Sequence, residues 1–192
     1  MTENIRRKES PSQTAGPYVH IGCLPNAINI ANVYPFDLGS GPLAKTGLGD
    51  VITIYGQIFD GAGVVVKDAM LESWQAEGAK DNSASTQTFF GWARHICDLD
   101  TGWFEFQTIK PGPIDTRGGW QSPHIALWIV ARGINRGLHT RLYFSDEDNT
   151  SDSILTALDP VRRKTLIAVE NDGAYSFDIH LQGKHETVFF DI

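Results

Sequence analysis

Cysteine is scarce, basic charge is in deficit and long apolar runs are missing, and each shortage removes a class of protein from consideration. The two cysteines, Cys23 and Cys97, lie far apart and without metal-ligand spacing. That disfavours a disulfide framework and points to inert thiols in a reducing compartment. Lys and Arg total 16 against 23 Asp and Glu, a formal charge of −7, and no basic run offsets it. Nonspecific attraction to nucleic acid or to an anionic membrane is therefore not expected. No stretch approaches the ~20 apolar residues of a membrane-spanning helix, and Met1 to Ser10 lack the apolar run of a secretory signal. The expectation is a soluble, cytoplasmic protein. The remaining histidines apart from His124, namely His20, His95, His139, His180 and His185, form no His-x-His or His-Glu-x-x-His motif. No tyrosine occurs between Tyr55 and Tyr143.

What is present reads as one domain, since 192 residues suffice for a single substantial core and fall short of two. Residues 1–22 carry no helical or strand periodicity and include Pro11, Gly16 and Pro17, so an extended arm is expected. Residues 25–50 form a second irregular stretch rich in Asn, Gly and Pro. Loops this long are functional, packed against a partner, or plain surface. From residue 51 to 192 the pattern becomes that of strands. Val51–Phe59 puts Ile52, Ile54 and Ile58 on one face, and Asp60-Gly-Ala-Gly63 supplies a hairpin turn. Further strands are predicted at Ala69–Gln75, Trp103–Ile109, His124–Ala131, Leu138–Phe144, Thr165–Val169, Tyr175–Leu181 and Glu186–Phe190. One helix is predicted at Ser151–Leu158, broken by Asp159-Pro160. Many short strands with turn signals argue for a mainly β chain, an antiparallel β-sandwich with an N-terminal arm, long loops and one short helix. Trp74, Trp103 and Trp128 read most simply as core residues of those strands.

The run Thr108-Ile-Lys-Pro-Gly-Pro-Ile114, followed by Trp120-Gln-Ser-Pro-His-Ile-Ala126, carries a resemblance. With Gly56-Gln-Ile-Phe-Asp60, Leu71-Glu-Ser-Trp-Gln-Ala76 and Thr140-Arg-Leu-Tyr-Phe144, it is similar to the intradiol ring-cleavage dioxygenases across residues 56–146. Catalytic members of that family hold ferric iron with tyrosines and histidines, a donor set suited to a hard trivalent cation. Here Ile114 and Asn82 stand at the tyrosine positions and Ala126 at the second histidine. Only His124 keeps a ligating side chain, and a lone histidine beside Ile125 and Trp128 reads as a packed core or interface residue. Gln121 and Arg141 replace an arginine and a glutamine of the catalytic pattern. This chain is therefore expected to bind no metal and to carry no catalytic residue.

The ends, Thr14-Ala-Gly-Pro-Tyr18 and Glu186-Thr-Val-Phe-Phe-Asp191, resemble the iron-free α-type chains of the family. Such chains pair with an iron(III)-bearing β subunit, and their αβ units build a higher-order assembly. Together they cleave the aromatic substrate protocatechuate with O2. The resemblance implies that residues 1–50 pack on the partner and that Arg132, Thr14, Gly16, Pro17 and Tyr18 complete the partner's substrate site. A guanidinium suits a substrate carboxylate because it offers parallel charge-assisted hydrogen bonds, while Gly16 and Pro17 let a rigid backbone approach a planar ligand closely. Two alternatives stand beside this reading: a purely structural partner that never touches substrate, and a self-sufficient dioxygenase with an unusual metal site.

Overall fold

A computed structural model describes residues 13–16, 18–41, 49–78 and 91–191. Helix α1 (Tyr18–Cys23) and a single 3-10 turn (Asn26–Ile28) precede the first strand. The strands are β1 (Val51–Phe59), β2 (Met70–Gln75), β3 (Trp92–Ile96), β4 (Trp103–Ile109), β5 (Ile114–Thr116), β6 (Gly119–Gln121), β7 (His124–Val130) and β8 (Leu138–Phe144). Two short helices, α2 (Ser153–Ala157) and α3 (Pro160–Arg163), lead to β9 (Ile167–Asn171), β10 (Ala174–Ser176) and β11 (Ile179–His180).

Strand alternation builds the core. In β1 the side chains of Ile52, Ile54 and Ile58 are buried while their neighbours are more exposed, the period expected of a half-buried strand. The sheet runs β11-β1-β10-β9-β8-β7-β2-β3, with β4 on the other edge of β1. It folds over one core in which Ile54, Phe104 and Phe106 of the β1–β4 layer meet Leu71, Ile125, Leu127 and Leu142 of the β2–β7–β8 layer. The pairings β1–β4, β2–β3, β2–β7, β7–β8 and β9–β10 are antiparallel, as expected of a sandwich. The C-terminal strands add parallel pairings, β10 and β11 along β1 and β9 along β8.

Between β10 and β11 the backbone passes close against Gly56 of β1. A Cβ there would stand 2.0 Å from the carbonyl oxygen of Phe177 and 2.9 Å from the Phe104 ring. The chain runs on along β1 in one register here, Phe177 N–H donating to the Tyr55 carbonyl while the Asp178 carboxylate, in place of a backbone carbonyl, accepts from Gln57 N–H. The continuous strand predicted at Tyr175–Leu181 is thus two strands in one register, with the backbone ladder interrupted at Phe177 and Asp178.

Other expectations are corrected in detail. Within the arm predicted as extended, residues 18–23 are helical. The strand predicted from Thr165 starts at Ile167, after a 3-10 turn at Lys164–Leu166. Glu186–Phe190 is no strand and makes one bridge, Phe190 to His139. Strand β3 and the β5–β6 hairpin were not foreseen. The predicted helix forms with Asp152 as its N-cap, and Asp159 caps α3 with Pro160 in its first turn, the arrangement that satisfies free N–H groups. In the long loop, buried Asp37 gathers Asn26 N–H, Ala27 N–H and the Asn26 amide, so residues 25–41 have internal order of their own.

Candidate functional site

Two places in the fold gather the residues singled out in the sequence. At one corner, the arm is tied to the turn after β7. The Thr14 hydroxyl donates to the Ala131 carbonyl at 3.3 Å and accepts from Gly133 N–H at 2.9 Å, so it brackets Arg132 on both sides. Gly16 N–H also donates to Thr14 Oγ1, and Gly16 has φ 61°, a left-handed turn that favours glycine. Tyr18 opens α1 and is 73% exposed. Pro17 lies outside the described residues. Thr14, Gly16 and Arg132, far apart in sequence, therefore form one clamp.

Arg132 lines an open cleft of about 800 Å³ with Asp68, Leu99 and Ile134. Its side chain is 64% exposed, and its Nε meets Asp68 Oδ2 at 2.9 Å. A carboxylate bound at Nε aims the guanidinium, and its terminal nitrogens carry no hydrogen bond among the described residues. Sequence reasoning missed Asp68, for which no local motif gives a signal.

The second place is the outer face of β3, β2, β7 and β8. Register sets Trp92, Trp74, Ala126 and Arg141 in one row across the strands, and Arg94, Glu72, Trp128 and His139 in the next. Trp74 is thus 52% exposed, and Trp103 46%. The reading of both as core is corrected, because each lies on the outward phase of its strand. A pocket of about 530 Å³ opens over the row, lined by Trp74, Ala126, Trp128, Arg141, Ile154 and Phe190 among others.

The positions equivalent to the family's metal site meet beside this pocket. Ile114 pairs with Gln121 across the β5–β6 hairpin, Gln121 Oε1 accepts from Arg141 Nη1 at 2.8 Å, and Ala126 pairs with Arg141. His124 is half-buried with Nδ1 2.8 Å from the Ser122 carbonyl. Burial, and then the Arg141 charge, lower its pKa, against the opposing pull of the Ser122 carbonyl and Asp152. Tyr143 OH lies 3.4 Å from Arg141 Nη1 and donates to Asp152 Oδ1 at 3.4 Å. Burial pushes the Tyr143 hydroxyl up to about 12. These residues do not fit ferric iron: two ligand positions carry hydrocarbon and a guanidinium stands beside them, the wrong charge for a trivalent cation. Asn82 lies outside the described residues.

Sequence reasoning also missed Asp152. Its buried carboxylate accepts from Ser122, Ile154 and Leu155 N–H groups at 2.8 Å each, which joins β6, β7 and α2 at the pocket wall.

The curled sheet and this residue pattern define a class. The chain belongs to the intradiol dioxygenase family, whose "Dioxygenase" pattern matches residues 41–183. Solved structures agree on the fold: hydroxyquinol 1,2-dioxygenase from Pseudomonas putida matches with a TM-score of 0.56 at 19% identity, over 85% of this chain and 72% of that one. Catechol 1,2-dioxygenase from Acinetobacter matches with a TM-score of 0.56 at 18% identity, over 84% and 66%. Within the family, the chain is 42% identical to the protocatechuate 3,4-dioxygenase alpha chain of Pseudomonas putida, over 95% of this chain and 96% of that one. It is 38% identical to the alpha chain of Burkholderia cepacia, over 96% and 98%. The beta chain of Burkholderia cepacia is also similar, 27% identical over 73% and 68%.

Proposed function

We propose that this chain is the iron-free α subunit of a protocatechuate 3,4-dioxygenase, one wall of the substrate pocket on an iron-bearing β partner. The observation that carries the reading is the 42% identity to an alpha chain over nearly the whole length. The assembled enzyme cleaves protocatechuate with O2 between its hydroxylated carbons, giving 3-carboxy-cis,cis-muconate. Ferric iron on the partner supplies the Lewis acidity that makes the bound catecholate reactive. This chain contributes the Arg132 clamp. Asp68 aims the guanidinium, Thr14 fixes the backbone on either side, and the free nitrogens hold the substrate carboxylate by parallel charge-assisted hydrogen bonds. Tyr18, exposed at the start of α1, adds to the rim.

Residues 1–50 dock on the partner in this reading. Tyr18, Val33, Tyr34, Phe36 and Leu38 are exposed in the described part of that region, the large apolar and aromatic side chains that a protein interface covers. Free thiols at Cys23 and Cys97 suit the cytoplasm. The Arg132–Asp68 ion pair also favours a second reading, in which the arginine is only a structural latch. Assembled enzyme carrying Arg132→Ala separates the two. Turnover of protocatechuate should fall while turnover of catechol, which lacks the carboxylate, falls much less; equal losses leave the latch.

A further inference from the structure

We propose that the pocket between Trp74 and Arg141 is a metal-free binding site for an aromatic carboxylate, held on this chain alone. Ala126 sits in the cross-strand row between the indole and the guanidinium, so a methyl group occupies the centre of the row and leaves the depression open. Its volume, about 530 Å³, lies in the range of small-ligand pockets. Trp74, Trp128, Phe190 and Ile154 line it. Flat apolar walls of this kind accept an aromatic ring.

Arg141 supplies the second, independent observation. It is half-buried, yet its hydrogen bonds go to neutral groups, Gln121 and Tyr143, and among the described residues it has no carboxylate partner. The Phe190 ring lies 5.9 Å from the guanidinium carbon, and the Asp152 carboxylate is linked to Arg141 only through the Tyr143 hydroxyl while itself accepting from three backbone N–H groups. A partly desolvated cation without a direct ion-pair partner is unfavourable, and an anion in the pocket would supply one. The acidic residue on the pocket rim does not oppose this. Glu72 is already held by Arg94 Nε at 2.7 Å and by the Trp92 indole N–H at 3.3 Å. A cation binder would need an exposed carboxylate at the centre, and Arg141 stands there instead.

The test titrates the full chain, in the assembly in which it purifies, with benzoate and in parallel with benzylamine, which has similar shape and opposite charge. Heat of binding and tryptophan fluorescence are read together, because Trp74 and Trp128 line the pocket. Benzoate should bind and quench, and benzylamine should not. Arg141→Gln should weaken benzoate binding about tenfold to a hundredfold, the loss of one charge-assisted hydrogen-bonding partner. Ala126→Leu fills the depression without altering charge and should remove one benzoate site per copy of this chain from the titrated stoichiometry, leaving whatever binds at the partner's iron site. Should Arg141→Gln fail to fold, the Ala126→Leu result and the benzylamine comparison decide. No benzoate signal at millimolar concentration, equal binding of benzylamine, or unchanged binding in folded variants would each overturn the proposal.

Discussion

Arg132 and Arg141 stand in opposite circumstances, one exposed with a carboxylate at its Nε and one half-buried with neutral neighbours. For Arg132→Ala in the assembled enzyme, kcat/KM for protocatechuate should drop by roughly tenfold to a hundredfold, the worth of a charge-assisted hydrogen bond. Asp68→Asn should raise KM by a smaller factor and leave kcat nearly intact, because the guanidinium stays charged and loses only its aim. Steady-state kinetics on both variants decide, and a change in stability without a change in KM would leave Asp68 a packing residue. His95 yields a pH prediction. Its ring stacks on Phe106 at 4.0 Å and its Nε2 lies 2.9 Å from Ser73 Oγ, and burial lowers its pKa from 6.5 to about 4. The folded chain keeps this imidazole neutral where the unfolded chain protonates it. Its contribution is therefore complete above pH 6.5 and is lost as pH falls toward 4, at most about 3 kcal/mol. Urea unfolding at pH 7 and pH 5 should show the loss, and His95→Gln should flatten it. The motifs that nominate Arg132, Thr14 and Gly16 are contiguous in sequence. Asp68 was not legible in this way, since only the folded chain brings it to Arg132. The outward place of Trp74 had a readable signal in Glu72, the charged residue on the same phase of β2.

Strands are where alternation carried most of the information. β1, β4 and β8 fall where their patterns place them, β1 and β4 because burial alternates along nearly the whole strand, and β8 although its last three residues are all buried. β3 escaped notice, as Arg94 and His95 interrupt its apolar pattern and its reason for existing is the pairing with β2. Helix α1, six residues long, is too short for periodicity or propensity to mark. The C-terminal stretch misled for another reason. Phe190 and Val188 have strand-like composition, but they serve as a strap, with Thr140 Oγ1 donating to the Val188 carbonyl and a lone bridge at His139. Two substitutions probe the elements themselves. Gly56→Ala places a methyl group on the Phe177 backbone and should destabilise by at least about 1–3 kcal/mol, measured by chemical denaturation. Asp152→Ala removes the cap of α2 and strands the buried Ser122 N–H, a loss of about 2–4 kcal/mol. Asp152→Asn should recover part of it, because an amide oxygen still caps.

At the scale of the whole molecule, the α-subunit reading predicts an obligate partnership. Native mass spectrometry of the protein from its own cells should show this chain with a second, related one, and metal analysis of the separated chains should find iron with the partner. Obligate interfaces commonly bury more than about 2,000 Å², so a stable monomer in the extract would count against the reading. The order of the sheet has a further consequence in time. β1 is synthesised well before β10 and β11, yet one of its edges is completed only by those two strands. Until those last residues leave the ribosome, the nascent protein carries an unpaired hydrophobic strand edge, the kind of surface that recruits chaperones or aggregates. Closing pairs so distant along the chain is also slow. Emergence of β10 and β11, rather than of β1, should therefore start the clock on folding. A chain terminated before Ala174 should accumulate as insoluble protein even when its partner is abundant.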